Sequence, residues 1–405
     1  MFGFLLGATG MFATMYSTQA ILPEIGRTFR VSASVTGLSV SVTVLMVALG
    51  GWLWGAYSDR RGRKRSLVWA SALLVLPTVA LAFVPSLFLF LCCRALQGLC
   101  MPGLLTVGVP YVAEVFTPAL GGRAMGRYLV ALVVGGLLGR VGVADLSTAI
   151  GWRGALAALA VLPAAGALVM IRTLPDAPQP RRSSRQLGAA LAQLRNGQLR
   201  QATLGGSALL FSFISVFSYI TYRLEAAPFS FGTREASLVF LLWAVGSVGP
   251  LAGRLADRFG WKRVALASLS CTTAGVLLTL PAVIWSVGVG LALVAAGMFS
   301  GVTAVQIGVA SSTQRDRGSA SGVYFTCYYL AGAVGAYVAG LTWQALSWPG
   351  VVLISVFALG SALFGLGRGM SAAVRSPEQS QRPGVAVVDA SGPDWVGGGP
   401  PEASR

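Results

Sequence analysis

Gly55-Ala56-Tyr57-Ser58-Asp59-Arg60-Arg61-Gly62-Arg63-Lys64-Arg65 and Gly253-Arg254-Leu255-Ala256-Asp257-Arg258-Phe259-Gly260-Trp261-Lys262-Arg263 are two copies of one motif, 198 positions apart. Gly55 and Gly253, Asp59 and Asp257, Arg60 and Arg258, Gly62 and Gly260, Lys64 and Lys262, and Arg65 and Arg263 hold the same offsets. Each copy is a short charged break between two long apolar runs. The match extends back along the preceding run, where Ser39, Gly51 and Leu53 correspond to Ser237, Gly249 and Leu251. A chain that repeats a charged hairpin in this way reads as two homologous helical halves around a central site.

Working outward from the repeat, run length predicts twelve membrane spans, at 2–23, 35–57, 66–84, 87–110, 127–149, 154–172, 201–223, 236–256, 264–283, 286–309, 321–344 and 350–368. Apolar runs of about 20 residues cross a bilayer. The fold class is therefore an all-α integral membrane protein of two six-helix bundles. Its expected domains are an N-terminal bundle over 1–172, a cytoplasmic linker over 173–200, a C-terminal bundle over 201–368 and a disordered cytoplasmic tail over 369–405. Residues 2–23 read as a retained first span, because no basic region precedes the apolar run.

The formal charge is +17, yet only 11% of residues are charged and 55% are hydrophobic. The arginines gather in alternate breaks: at 60–65, through the mid-chain break and at 254–263. That alternation is the positive-inside pattern. It places both termini in the cytoplasm and argues against nucleic acid as a partner. There is no histidine, so histidine relays and histidine metal sites are excluded. The five cysteines lie inside apolar runs without metal-ligand spacing. No metal and no cofactor is expected. The only lysines, Lys64 and Lys262, do not follow the glycines of a nucleotide-binding loop, which argues against an enzyme or a primary pump. Glycines such as Gly50, Gly51 and Gly55, or Gly246, Gly249 and Gly253, suit close helix packing.

The doubled loop resembles the G-x-x-x-D-R-x-G-R-K signature of the major facilitator superfamily, matched by Gly55, Asp59, Arg60, Gly62, Arg63 and Lys64 and again from Gly253. The resemblance covers residues 1–368. It implies two six-helix bundles working by alternating access, with the loops as a cytoplasmic latch that breaks when the cavity opens inward. Arg94-Ala95-Leu96-Gln97-Gly98 looks like the R-x-x-q-G motif of proton-coupled facilitators. Drug antiporters of the superfamily carry a Gly-Pro motif in the fifth span. This chain keeps Gly135, Gly136 and Gly139 but has Arg140 in place of the proline. Gly135–Arg140 and Gly151-Trp152-Arg153 instead resemble the YnfM-type exporters, a subgroup placed near the arabinose-efflux permeases.

Charges inside spans are Arg94, Arg140 and Asp145; Glu24, Arg223 and Glu225 sit at outer ends. Asp145 and Arg94 lie at similar depth on neighbouring spans and are expected to pair, with Asp145 as the proton carrier. Arg140 and Asp145 are five residues apart, about 140° round a helix, so Arg140 is expected to face the cavity. Tyr16, Gln19, Phe217, Tyr222, Gln306 and Tyr328 complete the expected substrate and proton pathway. The expected activity is proton-driven export of a small organic solute or drug by a monomer in the cell (inner) membrane. Uptake by symport of a sugar or organic anion is the alternative, and a transport-inactive sensor or scaffold is the reading from a different class. Two arginines against one acid favour neutral or anionic solutes.

Overall fold

The computed structural model describes residues 1–116, 118–176, 193, 195–313 and 317–375. Among them the elements are helices, with no strand. Six stretches are long and apolar enough to cross a membrane. Two of these, Leu120–Thr173 and Gly318–Arg368, hold 54 and 51 residues. At 1.5 Å per residue each runs well over twice the hydrocarbon core of about 30 Å. Each is folded back on itself at one residue with positive φ, Gly151 (74°) or Ser347 (54°). Glycine adopts that conformation freely. After Ser347, Pro349 suits the first turn of a new helix, where its missing N–H costs nothing.

The other crossings fall short for local reasons. The first span is broken: Phe2–Tyr16, then a 3-10 turn at Gln19–Ile21, beyond which a short outer helix, Leu22–Phe29, leads away from it. The third (Arg63–Ala80) and ninth (Trp261–Leu278) are 18 residues each and have basic residues in their first turns. The eighth passes from Thr233–Ser237 through an 11-residue 3-10 run, Leu238–Val248, into Gly249–Phe259. With the second (Ala33–Arg61), the fourth (Leu87–Cys100 and Pro102–Val115), the seventh (Gly197–Glu225) and the tenth (Ile284–Ser311), the described residues make twelve passes in two six-helix bundles.

The spans start and end differently from the sequence limits. The fifth begins at Pro118, and the twelfth continues past 368 to Arg375. Most of 173–200 and the rest of 369–405 lie outside the described residues.

Small residues bring the first, second, fourth and fifth spans together. A Cβ at Gly135 or Gly139 would collide with the carbonyl oxygens of Thr9 and Ala13, and one at Gly50 would meet Leu99 O at 3.0 Å. This glycine face presses the fifth span onto the first. It fixes where Arg140, one residue on, enters the interior.

Candidate transport site

Three of the spans lose regular α-helical geometry at the same place. The first span ends its helix at Tyr16 and resumes as the 3-10 turn carrying Gln19. The fifth contains a π-helical turn, Leu138–Gly142, carrying Arg140. The eighth contributes Phe240 and Trp243 from its 3-10 run. Irregular backbone inside a membrane protein is tolerated where protein covers it, and π turns recur at functional sites.

Arg140 sits at the centre and is fully buried. Its Nε donates to Gln19 Oε1 (2.8 Å) and its Nη1 to Gly136 O (3.0 Å). Its guanidinium lies 4.0 Å from the Trp243 ring centroid, 4.4 Å from that of Tyr16 and 5.2 Å from that of Phe240. Trp243 also meets Phe213 (5.0 Å) and Phe299 (5.2 Å), and Phe217 joins through Phe213 (4.5 Å) and Phe240 (5.9 Å). Gln19 Nε2 donates to Ser218 Oγ (3.0 Å), so one amide links Arg140 to the C-terminal half. Two buried donors in this cage, Arg140 Nη2 and Trp243 Nε1, have no hydrogen-bond partner. Among the described residues no carboxylate forms an ion pair with Arg140. Aromatic faces partly replace the water it has lost.

Arg94 is equally buried but does different work. It donates from Nε to Ser39 O (3.1 Å), from Nη1 to Thr14 O (2.9 Å) and Gln97 Oε1 (2.8 Å), and from Nη2 to Met15 O (2.9 Å). Thr14 and Met15 are in the last turn before the break in the first span, where carbonyls lack intrahelical partners. A cation at a helix C-terminus also meets its negative end. Gln97 passes the chain on to Thr78 (2.9 Å). Arg94 is a clamp on the broken helix.

The expected Arg94–Asp145 pair is not formed. The Asp145 side chain is 55% exposed and bonds across the halves to Arg234 (2.7 Å). Burial explains the difference: Arg94 is satisfied by carbonyls that a helix break supplies, while Asp145 lies in an open apolar groove with Leu138, Leu241 and Arg234. Asp145 is thus not an acid sunk in an apolar interior.

Tyr222, expected on the pathway, belongs to a seal between the halves at the end away from the doubled loops. Its hydroxyl meets Thr36 Oγ1 (2.6 Å) and donates to Leu22 O (3.2 Å). Arg27–Glu225 (2.8 Å) and Asp145–Arg234 close the same end. Tyr219 Oη reaches Ala33 O and Ala336 O, both 3.1 Å, and Ser34 Oγ donates to Gln344 (3.1 Å). Tyr328 stacks on Tyr324 (5.5 Å), and Gln306 is exposed near the end of its helix. Neither hydrogen-bonds to Arg140.

The two copies of the loop share a backbone and differ in chemistry. Gly62 and Gly260 have φ of 91° and 84°, a conformation that favours glycine in both. In the first, Arg63 joins Asp59 (2.9 Å) to Glu114 (3.1 Å), tying the ends of three spans, and Lys64 reaches Asp176 at 4.0 Å. Trp261 stands where Arg63 would be and packs against Gly308. Asp257 and Arg258 are exposed, as is Arg60. Gly55 is buried in its helix and Gly253 faces Thr303.

Sequence reading missed Phe240, Trp243 and Phe299. A signal existed for one of them. Tryptophans of membrane proteins favour the two interfaces, whereas Trp243 stands mid-run.

The Major Facilitator Superfamily model matches residues 4–336 and again 210–386. The MFS-type transporter YybF of Bacillus subtilis (strain 168) is 29% identical over 393 residues, covering 95% of this chain and 96% of that protein. The inner membrane transport protein YnfM of Escherichia coli (strain K12) is 30% identical, covering 84% and 83%. Among solved structures, a bacterial homolog of the human lysosomal transporter Spinster, inward-facing and occupied, superimposes with TM-score 0.72 at 14% identity, covering 95% of this chain and 98% of that one. A point mutant of the nucleoside transporter NupG gives 0.74 at 14% identity, covering 91% and 98%. Doubled loop, twelve passes and family match agree, and the chain belongs to the major facilitator superfamily as a multi-pass membrane transporter.

Proposed function

We propose that this transporter is a secondary active exporter of a small organic solute, working by alternating access around Arg140. The observation that carries the reading is the convergence of three interrupted helices on one buried, unpaired cation between the halves. Binding sites at discontinuous helices near the repeat interface are the expected architecture. The loop end is cytoplasmic by its charge, as are both termini, and the membrane is the inner membrane, as YnfM's name gives for that relative. The seal then lies on the outer side. Proteoliposomes holding a pH indicator test the activity: one of a panel of sugars, amino acids, organic anions and lipophilic amines should move protons in wild type and not in Arg140→Gln. Everted and right-side-out vesicles separate export from uptake. If no solute moves protons or itself, the transporter reading of the cage fails.

Proton coupling, in this reading, acts through the outer seal, because no Asp or Glu is buried inside a span among the described residues. Glu24, on the outer helix beyond the first span, is half-buried there. Loss of water raises its carboxyl above the ordinary carboxylate range; Arg27 and a hydrogen bond from Ser147 oppose this and Glu225 adds to it. A raised carboxylate pKa means that the folded protein, with this end sealed, binds more protons than the unfolded chain. Its stability is therefore highest at low pH and falls as pH rises from the ordinary carboxylate range through Glu24's own pKa. Glu24→Gln should flatten that part of the pH dependence, read by thermal unfolding across about pH 4–8; an unchanged profile removes Glu24 from coupling.

The first loop is read as the latch. Asp59→Asn should leave solute binding near wild type and cut transport by about tenfold or more. Asp257→Asn should do less, since Trp261 supplies no arginine to it. Normal counterflow in Asp59→Asn would make the first loop a topology signal only.

A further inference from the structure

We infer that the solute carried at Arg140 is an organic monoanion: a single carboxylate, or a group of like charge and size, on an aromatic or flat apolar body. This deepens the reading of the cage as the transport site and rests on it.

The charge follows from what is missing around Arg140. A buried guanidinium without a carboxylate partner is costly in a low-dielectric interior. Arg94 escapes that cost through carbonyls on two neighbouring spans and the Gln97 side chain. Arg140 has one carbonyl and one amide, and its Nη2 is left with nothing. Its direction is fixed by these two bonds and by the Tyr16 and Trp243 rings on its faces. The second orphan, Trp243 Nε1, is also a donor, and indole can only donate. Both unmet groups thus ask for acceptors, and a carboxylate has two acceptor oxygens and no donor. A cationic solute would meet like charge. One cation balances a monoanion; a phosphate dianion would need a second.

The body follows from the walls. Phe213 and Phe299 meet the Trp243 ring, Phe217 and Phe240 extend that wall through Phe213 and each other, and none of the four offers a hydrogen-bonding group. Such walls suit an aromatic or flat apolar frame. Gly136 keeps the head of the site clear. A Cβ there would stand 3.2 Å from Arg140 Nη1 and 3.6 Å from Trp243 Cε2, on the indole edge that bears Nε1.

The test uses purified full-length protein and four matched probes: phenylacetate, phenylacetamide, phenethylamine and acetate. Thermal stabilisation and tryptophan quenching report binding at millimolar concentrations. Phenylacetate should bind, phenylacetamide about tenfold or more weakly, and acetate and phenethylamine not measurably. Arg140→Gln, shown folded by its own melting curve, should abolish the phenylacetate response. Trp243→Phe keeps the ring face and loses Nε1, and should weaken phenylacetate by roughly three- to tenfold. No response to phenylacetate, equal response to phenylacetamide, or preference for phenethylamine overturns the anion assignment. If phenethylamine binds and Arg140→Gln removes that binding, only the solute class is wrong. If phenylacetate binds equally to wild type and Arg140→Gln, the anion does not sit at Arg140 and the inference fails. Should solute transport also survive Arg140→Gln, the site reading falls with it.

Discussion

Arg94→Met is expected to destabilise the folded protein by about 3 kcal/mol, the largest stability loss of the single changes considered. Methionine keeps the length of the side chain and donates nothing. Four charge-assisted hydrogen bonds disappear, each contributing roughly 1.5–3 kcal/mol in a buried setting. Two facts limit the loss. Thr14 O keeps the Ser17 hydroxyl and Ser39 O keeps that of Thr43, and the cost of burying a guanidinium is removed. Met15 O, with its helix broken just beyond it, is left without a side-chain donor. Arg140→Gln should behave oppositely: little change in melting temperature, or a rise, because it removes a buried charge without a carboxylate partner at the expense of two hydrogen bonds and its contacts with the Tyr16, Trp243 and Phe240 rings. Parallel melting curves of the two variants in one detergent check this contrast. Equal melting of Arg94→Met and wild type would show that Arg94 is no clamp.

That contrast marks the limit of what the sequence could tell. Both arginines are visible as charges inside apolar runs, and both attract a functional reading on that ground alone. Whether a buried cation is satisfied depends on which carbonyls a helix break turns toward it, and breaks at Ser17 or within Leu138–Gly142 leave no mark in run length. The two-bundle fold was legible because hydrophobic length and the repeated loop are local, periodic signals. Turns at Gly151 and Ser347 were legible too, as short weakenings between runs. Asp145 was misplaced for a related reason. Depth along a run says how far a residue is from the membrane surface, not which way it faces, and here it faces a groove and Arg234. Of the cage aromatics of the eighth span, Phe240 reads as ordinary apolar filling, and the mid-run place of Trp243 marks it as unusual without showing that the 3-10 run sets it against Arg140.

Gly340→Ala is expected to reduce transport by about 100-fold while leaving solute binding and folding largely intact, because it forbids the sealed outer end. The seal depends on two glycines, Gly37 in the second span and Gly340 in the eleventh, which flank the hydroxyl of Tyr219. A Cβ on either would collide with Tyr219 Oη. At Gly340 it would also stand 2.5 Å from Ser34 Cα. Backbone cannot swing aside as a side chain does, so the two spans must part, and the sealed state loses population while a parted state does not. A bias of roughly 3 kcal/mol is enough for the expected fall. At Gly37 the obstacle is different. Beyond the hydroxyl, the next atoms are Ala336 O at 3.1 Å and Tyr219 Cζ at 3.2 Å, distances that a small shift relieves. Tyr219 itself has little room to give, being buried, bonded to Ala33 and stacked on Tyr222. Gly37→Ala should therefore impair transport alone and recover when combined with Tyr219→Phe, whereas Gly340→Ala should not be rescued by the same change. Thr36→Cys, labelled with a membrane-impermeant maleimide, reports the state directly: protected in the parent, open in Gly340→Ala, and protected again in Gly37→Ala with Tyr219→Phe. Rescue of both glycine variants, or of neither, would mean that the hydroxyl slot is not what closes this end.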